Sequence, residues 1–184
     1  SGTTTIGSAI GVATTGAAIT GGGEGEIDAI VKSTGGAMGE GIYHVRDLFD
    51  TLQGEGARAG SRSVFLRFAF CNLWSGRPED RAKGPGACAR YCDTDFVKGE
   101  KLEASALLTR MDALWPLPAQ GWRWCVITGG EPALQLDEPL VSAMHAAGWR
   151  IAVETNGTLD PEYRVSWGTG PVLSAVDWLT VSPK

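Results

Sequence analysis

The sequence has no excess of positive charge: 16 Lys and Arg stand against 21 Asp and Glu, a net charge of -5. That removes any general electrostatic reason to bind nucleic acid. No run reaches the roughly 18 or more apolar residues of a membrane-spanning helix, so no membrane partner is expected. The first residues carry neither the basic start nor the apolar centre of a secretory signal, and a cytoplasmic protein is the expectation. Histidine is scarce, with only His44 and His145. A structural zinc ion wants four ligands, so a zinc site would have to recruit one of these two.

Cysteine is also sparse, but three of the four residues cluster. Cys71, Cys88 and Cys92 fall within 22 positions, while Cys125 stands apart inside an apolar stretch. In a reducing compartment such a cluster points to metal or redox chemistry before a disulfide. Thiolates are the usual ligands of iron–sulfur clusters, and three of them leave one iron of a cubane free for another ligand. Cys125 reads as a small core residue.

Residues 1 to 41 differ from the remainder, holding 12 of the 26 glycines with much Ala and Thr. No period of 2 or 3.6 survives in Ser1–Gly25, and only a short helical turn is expected, over Glu26–Lys32. This segment reads as a flexible or tag-like extension, with Met38 as the expected natural start. From Ile42 the pattern is α/β. Strands are expected at Ser63–Phe68, Trp122–Thr128, Arg150–Glu154 and Val176–Val181, and helices at Ala104–Leu114 and Leu140–Ala147. Such alternation implies a parallel sheet, with chemistry at the C-terminal ends of the strands.

Most polar motifs fall at those ends. Thr128-Gly129-Gly130-Glu131-Pro132 closes the second strand: its glycines let backbone approach a ligand, and Glu131 offers an acceptor for an ammonium group. Arg67 is a cation in the middle of an apolar strand. It wants an anion, either a bound carboxylate or an acidic neighbour in an internal ion pair. Asp93-Thr94-Asp95 offers hard oxygens to a cation such as Mg2+, or forms a simple turn. Glu154-Thr155-Asn156-Gly157 ends the third strand in the same manner.

Together these residues carry a resemblance. A triple-cysteine loop after the first strand and GGEP after the second resemble the radical S-adenosylmethionine (SAM) superfamily. Within it, LFDTLQGEG at 48–56, Arg67, CNLWSGR, CDTDF, TGGEP, ETNG and VSPK are similar to the 7-carboxy-7-deazaguanine synthase family. The most specific element is the long insertion after Cys71, opening NLWSGR. Two departures stand out. Three residues separate Cys88 from Cys92 where the family commonly has two, and the family continues beyond the motif that ends at Lys184.

The resemblance implies a partial (β/α) barrel over residues 42–184, with about four of six barrel strands. It implies a [4Fe-4S] cluster on Cys71, Cys88 and Cys92, Mg2+ at Thr94, and SAM at Tyr91, Cys92, Asp93, Gly130, Glu131, Ser182, Pro183 and Lys184. Substrate would meet Leu52, Gln53, Gly54, Arg67 and Thr128. The implied reaction converts a pterin, 6-carboxy-5,6,7,8-tetrahydropterin, to 7-carboxy-7-deazaguanine in queuosine biosynthesis. The implied electron donor is a flavodoxin or ferredoxin, and the implied assembly a homodimer. A zinc-binding module and a non-catalytic fragment are the rival readings.

Overall fold

The computed structural model describes residues 41–82, 88–115, 121–159 and 172–183. The extension before Gly41, the turn expected over Glu26–Lys32 and the terminal Lys184 lie outside the described residues. Six strands form one sheet: β1 (Ile42–Leu52), β2 (Arg62–Phe68), β3 (Glu100–Glu103), β4 (Arg123–Gly129), β5 (Trp149–Thr155) and β6 (Trp178–Val181). Their order across the sheet is β3-β1-β2-β4-β5-β6. The four expected strands are present and run parallel as β2-β4-β5-β6. The expectation missed β1 and β3, which add an antiparallel edge. β3 escapes because it is polar and buries only Leu102, and β1 because it buries only Tyr43 and Val45 while its second half is exposed, Phe49 and Leu52 included.

One face of the sheet supplies the core. Val64, Leu66 and Phe68 of β2, Cys125 and Ile127 of β4, and Ile151 and Val153 of β5 alternate inward, as a period of 2 requires. They pack against Leu107 and Met111 of α2 (Ala104–Ala113) and against Leu140 and Met144 of α3 (Glu138–Ala146). Helix α3 begins two residues before the expected start. Asp137 caps it, accepting from the Leu140 backbone N–H at 3.0 Å, and a proline occupies the first turn. The same carboxylate accepts from the Tyr43 hydroxyl at 2.8 Å, so the cap also ties α3 to β1. Among the described residues no helix is long and apolar enough to cross a membrane.

Polar residues at the strand ends lie on the opposite face. Arg67 of β2 sits level with Thr128 of β4, and Glu154 of β5 with Thr180 of β6. The four parallel strands therefore end along one rim, and the next residues after each form the site.

Candidate active site

After β2 the chain turns sharply. Phe70 has φ 72, the only non-glycine residue with positive φ among the described residues. A bulky side chain in the left-handed region is strained, and such strain persists only where neighbours over-determine it. Here the neighbours are backbone. The Phe70 N–H donates to the Phe96 carbonyl at 2.8 Å, and its own carbonyl accepts from the Glu131 N–H at 2.9 Å. Gly130 makes this approach possible, because a Cβ there would lie 2.0 Å from the Phe70 oxygen and 2.9 Å from the Cys71 Cβ. The paired glycines thus serve the close approach of β4 to the cysteine-bearing turn.

Cys88 and Cys92 lie at either end of a single helical turn, α1 (Cys88–Tyr91), closed by the Cys92 N–H on the Cys88 carbonyl at 2.8 Å. Residues four apart on a helix share a face. The three-residue spacing therefore sets the two cysteines four apart across that turn, and both line the same cleft. All three cysteines pack against Leu73, Trp74, Ala89 and Phe96, a small apolar cluster separate from the main core. Burial pushes the Cys71 thiol up to about 11, against the Leu73 and Trp74 amides that favour its thiolate. Cys125 is fully buried in the sheet, and burial pushes its thiol well above the ordinary range. It takes no part in the site.

The three thiols open into one cleft of about 310 Å3 at the rim of the parallel strands. Tyr91, Asp93, Thr94, Thr128, Gly130 and Ser182 line the same cleft, as do Glu154, Thr155 and Asn156. A larger cavity, about 640 Å3 between β1, β3 and α2, holds none of the expected site residues, and Arg110 there is paired with Glu100. Not every expected residue reaches the cleft. Glu131 is fully buried, and its carboxylate accepts from Ala133 N–H, the Thr155 hydroxyl and Asn156 N–H at 2.9, 2.7 and 2.8 Å. Leu52, Gly54 and Pro183 are exposed outside the cleft. Gln53 is buried and donates to Glu154 at 2.8 Å, which links the Leu52–Gly54 turn to the cleft wall.

Arg67 stands on the same sheet face. Its Nε lies 3.7 Å from an Asp47 carboxylate oxygen and has no hydrogen-bond partner. Asp95 is drawn away from Thr94, bonding Arg46 and accepting from the Val97 N–H at 3.3 Å. Sequence reasoning gave no weight to Phe70 or Arg81, and took Asn72 only as part of the NLWSGR insertion. Asn72 accepts from Asn156 and donates to Thr158, both at 2.9 Å, which staples the loop after Cys71 to the loop after β5.

A single metal ion needs donors converging on a point, and no three His, Cys, Asp or Glu among the described residues do so. Neither histidine lines the cleft: His44 packs edge-on to Phe70, and His145 pairs with Asp177 at 3.0 Å. The zinc reading therefore loses the histidine it would have recruited. A cubane is several atoms across and takes its thiolates from further apart, and three thiols around an apolar-walled cleft fit that group.

No family model matches the chain. The 7-carboxy-7-deazaguanine synthase of Burkholderia multivorans is 53% identical over 148 residues, covering 77% of this chain and 63% of that protein. The synthases of Bordetella pertussis and Caulobacter vibrioides are 49% and 47% identical, with the same two coverages. Over that span the chain is a homologue of 7-carboxy-7-deazaguanine synthase. It spans 63% of the length of these relatives. A crystal structure of QueE from Escherichia coli superposes with a TM-score of 0.51 at 24% identity, covering 84% of this chain and 64% of that one. That likeness supports the fold: a mixed, mostly parallel six-stranded sheet.

Proposed function

We propose that the chain forms the cluster- and SAM-binding part of a radical SAM lyase that makes 7-carboxy-7-deazaguanine from 6-carboxy-5,6,7,8-tetrahydropterin, with loss of ammonia. One observation carries the reading: Cys71, Cys88 and Cys92 share a cleft with Gly130, Thr155 and Asn156 at the ends of parallel strands. When bound, a [4Fe-4S] cluster supplies the electron that cleaves SAM and so begins radical chemistry. The chain's own residues bind, orient and shield. Cys71, Cys88 and Cys92 hold three irons, and Tyr91, Asp93, Gly130 and Ser182 border the space for SAM. Glu131 supports that wall from behind by fixing Thr155 and Asn156.

Substrate lies on the open sheet face in this reading. Arg67 faces the pterin carboxylate, with Thr128 beside it and the Leu52–Gly54 turn reading the ring edge. Thr94 contributes to Mg2+ at the substrate carboxylate. The four parallel strands form part of a (β/α) barrel, a flavodoxin or ferredoxin supplies electrons, and the protein works as a cytoplasmic homodimer. The test is anaerobic reconstitution with iron and sulfide, followed by assay of 5′-deoxyadenosine and 7-carboxy-7-deazaguanine. Cluster-dependent formation of both supports the reading. A colourless, zinc-loaded protein would reject it.

A further inference from the structure

The cysteine turn is too short to hold itself. Helix α1 has four residues, and a single helical turn is not stable on its own in water. Its last carbonyls have no partner within the helix. Arg81 supplies them. One terminal nitrogen donates to the Ala89 and Arg90 carbonyls at 2.8 and 3.0 Å, and the other donates to the Cys92 carbonyl at 2.9 Å. The guanidinium meanwhile lies over the Trp74 ring, 4.7 Å from its centroid. Trp74 is 7% exposed and meets Phe96 edge-on at 5.8 Å, so the platform beneath Arg81 is anchored in the cysteine cluster's own apolar packing.

We infer that Arg81 is a positioning residue that holds the Cys88–Cys92 turn in the conformation that receives the cluster. The inference rests on the radical SAM reading but adds a residue to which no motif pointed. The chemistry of the side chain suits the task. A planar fork can reach three carbonyls while its face stacks on an indole, and the positive charge sits at the negative end of the helical turn. An ammonium group could keep the charge and one of these bonds, but neither the fork nor the stack. Arg81 also explains why Trp74 is buried in a polar insertion: it is the floor on which the clamp rests.

The test begins with the metal-free protein. Arg81→Gln and Arg81→Lys are treated with iodoacetamide under reducing conditions, and alkylation is followed site by site by peptide mass spectrometry. Loss of the clamp should raise the rate at Cys88 and Cys92 by about tenfold in Arg81→Gln, with a smaller rise in Arg81→Lys. Cys125 should stay protected in both, reporting an intact core. In reconstituted protein, iron should leave to a chelator about tenfold faster in Arg81→Gln than in wild type. Unchanged rates at Cys88 and Cys92 with Cys125 protected would overturn the inference and leave the function reading standing. If Arg81→Gln exposes Cys125 through unfolding, Arg81→Lys decides, and a wild-type rate there overturns it equally. A wild-type protein that takes up no iron would instead overturn the reading on which the inference rests.

Discussion

Glu131 and Asn156, 25 positions apart, are joined by a 2.8 Å hydrogen bond from the Asn156 backbone N–H to the Glu131 carboxylate. The other carboxylate oxygen accepts from the Thr155 hydroxyl and the Ala133 N–H. A glutamate set in a glycine-rich turn thus organises the neighbouring strand's exit from a buried position. Glu131→Gln keeps the shape but removes the charge and turns one acceptor into a donor. It should destabilise the fold by about 2 kcal/mol, since hydrogen bonds to charged groups contribute about 1.5–3 kcal/mol. Urea unfolding of the metal-free variant measures this. An unchanged midpoint would mean that the carboxylate acts on ligand alone.

The cysteines separate by position. Cys71→Ala, Cys88→Ala and Cys92→Ala should each abolish cluster assembly, because each thiol opens on the same cleft. Cys125→Ala should load normally and cost about 1 kcal/mol of stability, as a small core truncation does. Iron and sulfide content, with visible absorbance, report the outcome. Normal loading in Cys88→Ala would remove that residue from the ligand set.

Cys71 carries a pH signature in the metal-free state. A thiol pushed up to about 11 is protonated, and so unreactive, at ordinary pH. At pH 8 only about a thousandth is thiolate, so alkylation should be far slower than for a free thiol and should rise about tenfold per pH unit to near pH 10. The sign for stability follows. Above the ordinary value of 9.0 the unfolded chain ionises first, so stability falls as pH rises through 9 towards 11. A Cys71 that reacts at pH 8 as fast as a free thiol would contradict this.

Arg67→Met should weaken pterin binding by about tenfold or more while barely changing SAM affinity. The Arg67 Nε has no hydrogen-bond partner, and its ion pair with Asp47 is long at 3.7 Å, which leaves the fork able to meet a carboxylate. Separate titrations with each ligand make the comparison. Equal losses for both would assign Arg67 to a structural ion pair.

Of the parallel strands, β2, β4 and β5 were legible because their residues are apolar on the buried face and end in glycine or polar turns, whereas β6 was legible from its apolar residues although all four are exposed. Leu66 and Ile151 announce themselves; Lys101 of β3 does not, because an exposed edge strand need not look hydrophobic. The grouping of Cys71, Cys88 and Cys92 was legible by count and spacing, and all three line one cleft. The placement of Glu131 was not, since a sequence cannot show whether a carboxylate faces a ligand or the next loop. Phe70 was beyond reach for a different reason. Nothing in a phenylalanine marks a positive φ, and only the bonds from Phe96 and Glu131 impose it. Arg81 likewise gains its meaning from three carbonyls brought to it by folding.

The central claim is that three thiols of this chain hold a cluster with one iron left for SAM. The most direct measurement is electron paramagnetic resonance of the reconstituted, reduced protein, recorded with and without SAM beside iron and sulfide analysis. The account predicts iron and sulfide in the equal amounts of a [4Fe-4S] cluster, a signal that shifts when SAM is added, and loss of both in Cys71→Ala. A full cluster whose signal ignores SAM, or a protein that binds zinc in place of iron, would contradict it.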